Sequence, residues 1–132
     1  MGKKEKIEAF LGKGTEFEGR ISFKGSARID GKIQGEIYTE DTLIVGHDAV
    51  IDTQKTEAGS IIVYGRISGE IYARERIEIK GTGTVVGNIT TSLLVIEEGA
   101  HFEGNCRMGS KEDKAEEKVK RIEDFHQKDR KI

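Results

Sequence analysis

An all-β solenoid of about six short coils is the fold this sequence predicts, and three observations predict it. An apolar residue, any residue, glycine, any residue and a second apolar residue recur as Phe17-Gly19-Ile21, Ile33-Gly35-Ile37, Ile67-Gly69-Ile71, Val85-Gly87-Ile89 and Phe102-Gly104-Cys106, with a degenerate copy at Ile51-Thr53-Lys55. The central positions step by 16, 18, 16, 18 and 17 residues. A second ladder keeps the same beat: Ala27, Leu43, Ile61, Ile77 and Leu94, each followed two residues later by Ile29, Val45, Val63, Ile79 and Ile96. Residues two apart share one face of an extended strand, so each repeat supplies at least two short strands with one apolar face. The third observation is the period itself. All-helical repeats need roughly 33 residues or more, whereas about 17 suffice for a closed coil of three short strands.

One such coil buries too little to be stable alone. Successive coils about 4.8 Å apart place equivalent residues above one another and bury a continuous column, and six make a rod on the order of 30 Å long. Glycines at 19, 31, 35, 46, 65, 69, 81, 83, 87, 99 and 104 fall between the strand segments, where the chain must turn sharply or take positive φ. The connection from ladder to motif is four residues from Ile29 to Ile33 and from Val63 to Ile67. It is six from Val45 to Ile51, Ile79 to Val85 and Ile96 to Phe102, so most of the alternation in coil length arises at these corners. The clearest internal match sets Gly31-Lys32-Ile33-Gln34-Gly35-Glu36-Ile37-Tyr38 against the run from Gly65 to Tyr72, 34 residues on.

The chain has 132 residues, no proline and 35% hydrophobic residues, which suits one thin rod whose core is a single side chain deep. The pattern divides it into a flexible segment 1–13, a β-helix 14–108 and a charged, mostly disordered tail 109–132. In that tail Val119, Ile122 and Phe125 have helical spacing, but its polarity favours disorder or a transient helix. Lys and Arg number 22 against 24 acids, a net charge of −2 that gives no support to nucleic-acid binding. A lone Cys106 makes no internal disulfide, and neither a secretory signal nor a run of about 20 apolar residues is evident, so the cytoplasm is the expected compartment. Lys3, Lys4 and Lys6 beside Ile7 and Phe10 compose the one segment suited to an anionic membrane surface, at roughly 1 kcal/mol per basic residue. The preferred reading of that segment is a lead-in whose Phe10 and Leu11 cap the first coil.

The residues that carry chemistry in other proteins do not converge here. Gly12-Lys13-Gly14-Thr15 resembles the end of a phosphate loop, but Ile7 stands where its first glycine belongs and a strand follows instead of a helix, so no nucleotide is expected. His47 and His101 occupy equivalent corners three coils apart, roughly 14 Å by the stacking distance and too far to share a metal; His126 lies in the tail. No metal or other cofactor is expected. Cys106 occupies the slot of Ile37, Ile71 and Ile89 and reads as a buried thiol acting as a small hydrophobe. Asn88-Ile89-Thr90 matches a glycosylation sequon but falls inside a coil. The alternative function is a monomeric or trimeric β-helix enzyme such as a hexapeptide-type acyltransferase, for which His47 is available as a base. The strict six-residue rhythm of those enzymes is absent. An ice- or polysaccharide-binding face would need an outward row of Thr or aromatics, and only Tyr38 and Tyr72 align.

The strings Gly14-Thr15-Glu16-Phe17-Glu18-Gly19, Ala27 to Gly35, and Glu97 to Met108 resemble the bactofilins, bacterial polymer-forming cytoskeletal proteins. The resemblance covers residues 7–108. It implies a right-handed, three-sided β-helix that assembles without nucleotide into non-polar filaments, and a scaffold that localises cell-wall enzymes and shape or polarity factors. It departs at coil three, where Thr53 replaces the glycine and Lys55 the apolar residue. The residues alone also point to assembly, because a β-helix leaves a row of amides and carbonyls at each end and no polar cap follows the last coil. Phe102 and Cys106 at one end, with Phe17 and Leu11 at the other, are the expected polymer contacts.

Overall fold

The computed structural model describes residues 7–108 and 119–121, and among these every regular element is a strand. In chain order they are β1 (Ile7–Leu11), β2 (Glu16–Phe23), β3 (Ser26–Ile29), β4 (Lys32–Thr39), β5 (Thr42–Val45), β6 (Val50–Val63), β7 (Arg66–Ile79), β8 (Thr84–Thr91), β9 (Leu94–Ile96), β10 (His101–Met108) and β11 (Val119–Arg121). All pair in parallel in one continuous 11-stranded sheet wound into a β-solenoid of about six turns. Strands β2, β4, β6, β7, β8 and β10 carry the glycine motif and bend at its centre, so each forms two sides of a turn. The third side consists of β1, β3, β5, the C-terminal ends of β6 and β7, β9 and β11.

The register stacks the repeats as the spacing requires. Phe17 lies on Ile33, Ile33 on Ile51, Ile51 on Ile67, Ile67 on Val85, and Val85 under Phe102. The second ladder stacks Ala27, Leu43, Ile61, Ile77 and Leu94 in the same manner. The result is a core of 20 buried apolar side chains, all between Ala27 and Ile96. Fully burying one such aliphatic side chain contributes roughly 1.5–3 kcal/mol, which is how a column one residue deep sustains a rod.

The motif glycines are dictated by the bend. Gly35, Gly69, Gly87 and Gly104 have φ of 125°, 116°, 139° and 140°, and a Cβ at any of them would overlap the carbonyl oxygen of the residue one coil below. Only glycine accepts both the conformation and the close approach. The corner turns follow from length. Four-residue turns at 12–15, 46–49, 80–83 and 97–100 each close with an N–H···O bond of 2.7–3.1 Å, whereas the shorter corners Asp30-Gly31 and Tyr64-Gly65 have no room for one. These two corner lengths produce the alternation of 16 and 18.

Coil three corrects the sequence reading. The register runs Gly35 to Thr53 and then Glu36 to Lys55, so Gln54 is an inserted, bulged residue and Lys55 is not the inward one. Thr56, fully buried, takes the slot of Ile37 and Ile71. Its hydroxyl lies 2.7 Å from that of Thr53, which also reaches the Ser68 carbonyl at 3.3 Å, so the polar pair is satisfied inside an apolar column. Lys55 points outward, 3.9 Å from Glu57 and 5.9 Å from the Tyr38 ring centre. The insertion is absorbed at the following corner, where the single Gly59 stands in place of Glu40 and Asp41 and both Gly59 N–H and Ser60 N–H donate to the Asp41 carbonyl.

Gly69→Ala is expected to destabilise the rod by more than about 1 kcal/mol, since the native φ is unfavourable for alanine and the new methyl meets the Thr53 carbonyl. A denaturant titration followed by circular dichroism measures it, and an unchanged midpoint would contradict the close-approach argument.

Candidate polymer interface

The apolar side chains that pack on the core yet remain half-exposed are Ala9, Leu11, Phe17, Ile21 and Phe23 at one end and Ala100, Phe102, Cys106 and Met108 at the other. Every one belongs to the first or last coil. An interior residue is covered from above and below; among the described residues these have a stacked coil on one side only. The distribution follows from the solenoid itself, because a stack of identical layers has two layers with a missing neighbour.

Side-chain size along the core columns marks the same two ends. In the slot after the motif, Phe23 lies on Thr39, Ala58 on Ala73, Ala73 on Thr91, and Thr91 under Met108. Small residues fill the interior positions of this column and bulky ones stand only at its two termini. The first motif slot behaves alike, with Phe17 and Phe102 bracketing Ile33, Ile51, Ile67 and Val85. Each end therefore presents an apolar face: Phe17, Ile21 and Phe23 at one, Phe102, Cys106 and Met108 at the other.

The structure places the four predicted contacts, Leu11, Phe17, Phe102 and Cys106, on these end coils. Ile21, Phe23 and Met108 were missed by the sequence reading. The signal for Phe23 and Met108 was the third inward position of each coil, two residues past the motif, where size jumps from Thr or Ala to Phe and Met; Ile21 is the motif's own second apolar residue. Cys106 is half-buried rather than buried, since among the described residues no coil is stacked beyond β10, and its Sγ approaches Met108 Sδ at 3.4 Å.

Phe10 is 61% exposed on the outer side of β1 while Leu11 packs inward, so of the two expected caps only Leu11 covers the core. Ile7 opens β1, opposite Ser26, and Lys3, Lys4 and Lys6 lie outside the described residues. At the other terminus Val119–Arg121 pairs with Leu94–Ile96 as a strand, in contrast to the helical spacing of Val119, Ile122 and Phe125; Ile122, Phe125 and His126 lie outside the described residues.

The remaining candidate sites dissolve into the scaffold. Gly12-Lys13-Gly14-Thr15 is one of the four equivalent corner turns, closed by Thr15 N–H to the Gly12 carbonyl at 3.1 Å, and Lys13 reaches Asp48 at 3.9 Å. His47 stacks on Tyr64 with ring centres 6.4 Å apart, and His101 is exposed at the start of β10. Among the described residues no group of three or more His, Cys, Asp or Glu side chains is placed to hold a metal, and no helix is long and apolar enough to cross a membrane. Outward charges pair locally. Asp30 bonds Arg28 at 2.9 Å and holds its guanidinium above the ordinary value, and Glu78, aided by Glu97, does the same for the Lys80 ammonium.

Comparison with known proteins agrees with this geometry. The family sequence model described as Bactofilin, polymer-forming cytoskeletal, matches residues 9–107, nearly the whole rod. The chain belongs to the bactofilin family. This is a family of cytoskeletal structural proteins rather than enzymes. The bactofilin is 31% identical over 102 residues to bactofilin BacO of Myxococcus xanthus strain DK1622, covering 77% of this chain and 80% of that protein. It is 30% identical over 102 residues to BacP of the same organism, covering 77% of this chain and 42% of that protein. Among solved structures it is similar to the Thermus thermophilus bactofilin reconstructed in double helical filaments. That match has a TM-score of 0.74 and 31% identity, over 77% of this chain and all 100% of that one. The bactofilin BacA determined by solid-state NMR matches with a TM-score of 0.70 and 29% identity, over 78% and 98% of the two chains.

End and interior positions are expected to respond differently to the same charge. Phe102→Arg and Met108→Arg should keep nearly all of the strand signal in circular dichroism, because their side chains already border solvent. Ile67→Arg buries an unpaired charge between two coils, at a cost of several kcal/mol, and should lose that signal. Equal loss in all three would mean that the last coil is core rather than surface.

Proposed function

We propose that this bactofilin polymerises end to end, like end against like end, into non-polar filaments that need no nucleotide, and that the filament is a scaffold on which cell-wall enzymes or shape and polarity factors are localised. The observation that carries the reading is that the half-covered apolar side chains packed on the core belong to the two terminal coils. Burying them completes a core column that each subunit leaves open. Joining like ends suits their shapes. A head-to-tail joint in continuous register would set Phe23 directly against Met108 in a column whose interior holds only Thr and Ala, whereas a two-fold joint turns the columns past one another so that bulky groups interleave. Lys3, Lys4 and Lys6, with Ile7 and Phe10, bring the assembled filament to the anionic inner face of the cell membrane, where many weak contacts add along its length.

Blocking one end at a time tests the joint. Under the like-end reading Phe102→Arg still pairs through its intact N-terminal coil and Phe17→Arg through its intact C-terminal coil. Each should sediment as a discrete dimer at concentrations where the wild type pellets. Monomers from both variants, with polymer formed by the wild type, would establish a head-to-tail joint instead. Wild-type pelleting is expected to be equal with and without ATP, GTP or magnesium, and a strict requirement for any of them contradicts the proposal. Removal of residues 1–6 is expected to leave pelleting unchanged and to abolish co-flotation with anionic vesicles.

A further inference from the structure

A strand from outside the repeat is bound at the C-terminal end, on the edge of β9. Val119, Lys120 and Arg121 of β11 pair in parallel with Leu94, Val95 and Ile96 and supply the third side of the last turn. Beneath that strand Leu94 and Ile96 are 1% and 2% exposed, whereas Phe102, Cys106 and Met108 at the same end stay half-covered. Docked, β11 withholds two aliphatic side chains from the apolar end face. The match to the polymer-forming family stops at residue 107, so this strand lies outside the region that defines the family.

The way β11 is attached makes it a weakly held occupant. Third-side strands elsewhere follow their motif strands after the two-residue corners 24–25, 40–41 and 92–93, whereas ten residues, 109–118, separate β10 from β11. A longer connection costs more entropy to close. The register also breaks the column rule. Above Leu11, Ile29, Val45, Val63, Ile79 and Ile96, aliphatic without exception, the next position is Arg121. The opposite end offers the contrast, since β1 joins β2 through the turn 12–15 and packs Ala9 and Leu11 on the core. A two-fold joint between C-terminal ends would moreover bring Lys120 and Arg121 of one copy near the same residues of the other, and like charges in apposition oppose pairing.

We infer that β11 is an autoinhibitory strand: docked on its own rod it blocks the C-terminal end, and its release frees the β9 edge, with Leu94 and Ile96, for a second copy of the chain. The inference rests on the end-to-end reading above and adds to it a choice between two occupants of one edge, the tail in cis and a neighbouring subunit in trans. The cis occupant is tethered, so the neighbour competes against an effective concentration rather than an empty site. Assembly through this end is then weakened by the fraction of chains in which β11 is docked. Among the described residues the N-terminal end has no such competitor. Chains with β11 docked therefore stop at pairs joined through their N-terminal ends, and elongation waits on release.

The test isolates the C-terminal joint in the full-length chain with Phe17→Arg, which blocks the other end, and reads dimerisation by sedimentation. Adding Val119→Asp sets a carboxylate opposite buried Leu94 and, by releasing β11, is expected to tighten the dimer about threefold or more. Adding Arg121→Ile restores the aliphatic residue of the column and is expected to weaken the dimer by a similar factor. The same two changes in Phe102→Arg, which pairs through its N-terminal end only, should have no effect. Unchanged dimers in the Phe17→Arg background overturn the inference, and so do shifts of the opposite sign, which would make β11 part of the joint. A disulfide reads docking directly, because neighbouring rungs about 4.8 Å apart suit one. Val95→Cys/Lys120→Cys/Cys106→Ser should form an intrachain bond on oxidation and then pellet only at several-fold higher concentration than the same chain reduced. Absence of the intrachain bond, or equal pelleting in both states, refutes the inhibition. If Phe17→Arg is monomeric while the wild type polymerises, the joint is head-to-tail; the pelleting thresholds of Val119→Asp and Arg121→Ile in the otherwise wild-type chain then decide the inference by the same signs. If no chain assembles at all, the end-to-end reading fails and this inference with it.

Discussion

The parallel hydrogen-bond ladder that holds each coil about 4.8 Å above the last is the constraint on which the rest of this molecule depends. At that spacing a residue's surroundings consist largely of its counterparts one coil above and one below. Column identity then matters more than local propensity: Ile33, Ile51, Ile67 and Val85 share one column and are equally buried. The motif glycine is the sharpest expression of the constraint, because the carbonyl of the coil below occupies the space a side chain would need.

Much of the fold was legible because a stack of coils writes its period directly into the sequence. The glycine motif and the Leu43-Val45 type of pair each recur once per turn, and both landed in the predicted columns. Coil three was misread for a reason that lies in the ladder. Spacing alone cannot distinguish a polar residue in the slot from a slot displaced by one residue, and Gln54 displaces it. The burial of Thr56 is intelligible only with the Thr53 hydroxyl beside it, a pairing across the bulge that no pattern of apolar residues announces.

The apolar end faces that make up the candidate site were half legible. Phe17, Leu11, Phe102 and Cys106 could be named because they end the ladders that had been counted. Ile21 was visible in the first copy of the motif but was not followed to the end of its column. Phe23 and Met108 belong to a column whose interior members, Thr39, Ala58, Ala73 and Thr91, are too small or too polar to look like core. The strand at Val119–Arg121 escaped for a different reason, since a three-residue segment in a highly charged tail has no periodicity, and its pairing with β9 depends on an edge that only the folded stack creates.

The half-covered end coils also affect the thermodynamics of the rod. In a linear array the stability of each unit is its own term plus those of its neighbours, and a terminal unit lacks one of the latter. The first and last coils are accordingly where opening begins. Whatever occupies an end supplies the missing neighbour, so ordering of the terminal coil and occupancy of the end form a single linked equilibrium. Under the end-to-end reading proposed above, melting temperature becomes a function of concentration, and part of the free energy that folds each chain is held in common with the chain next to it.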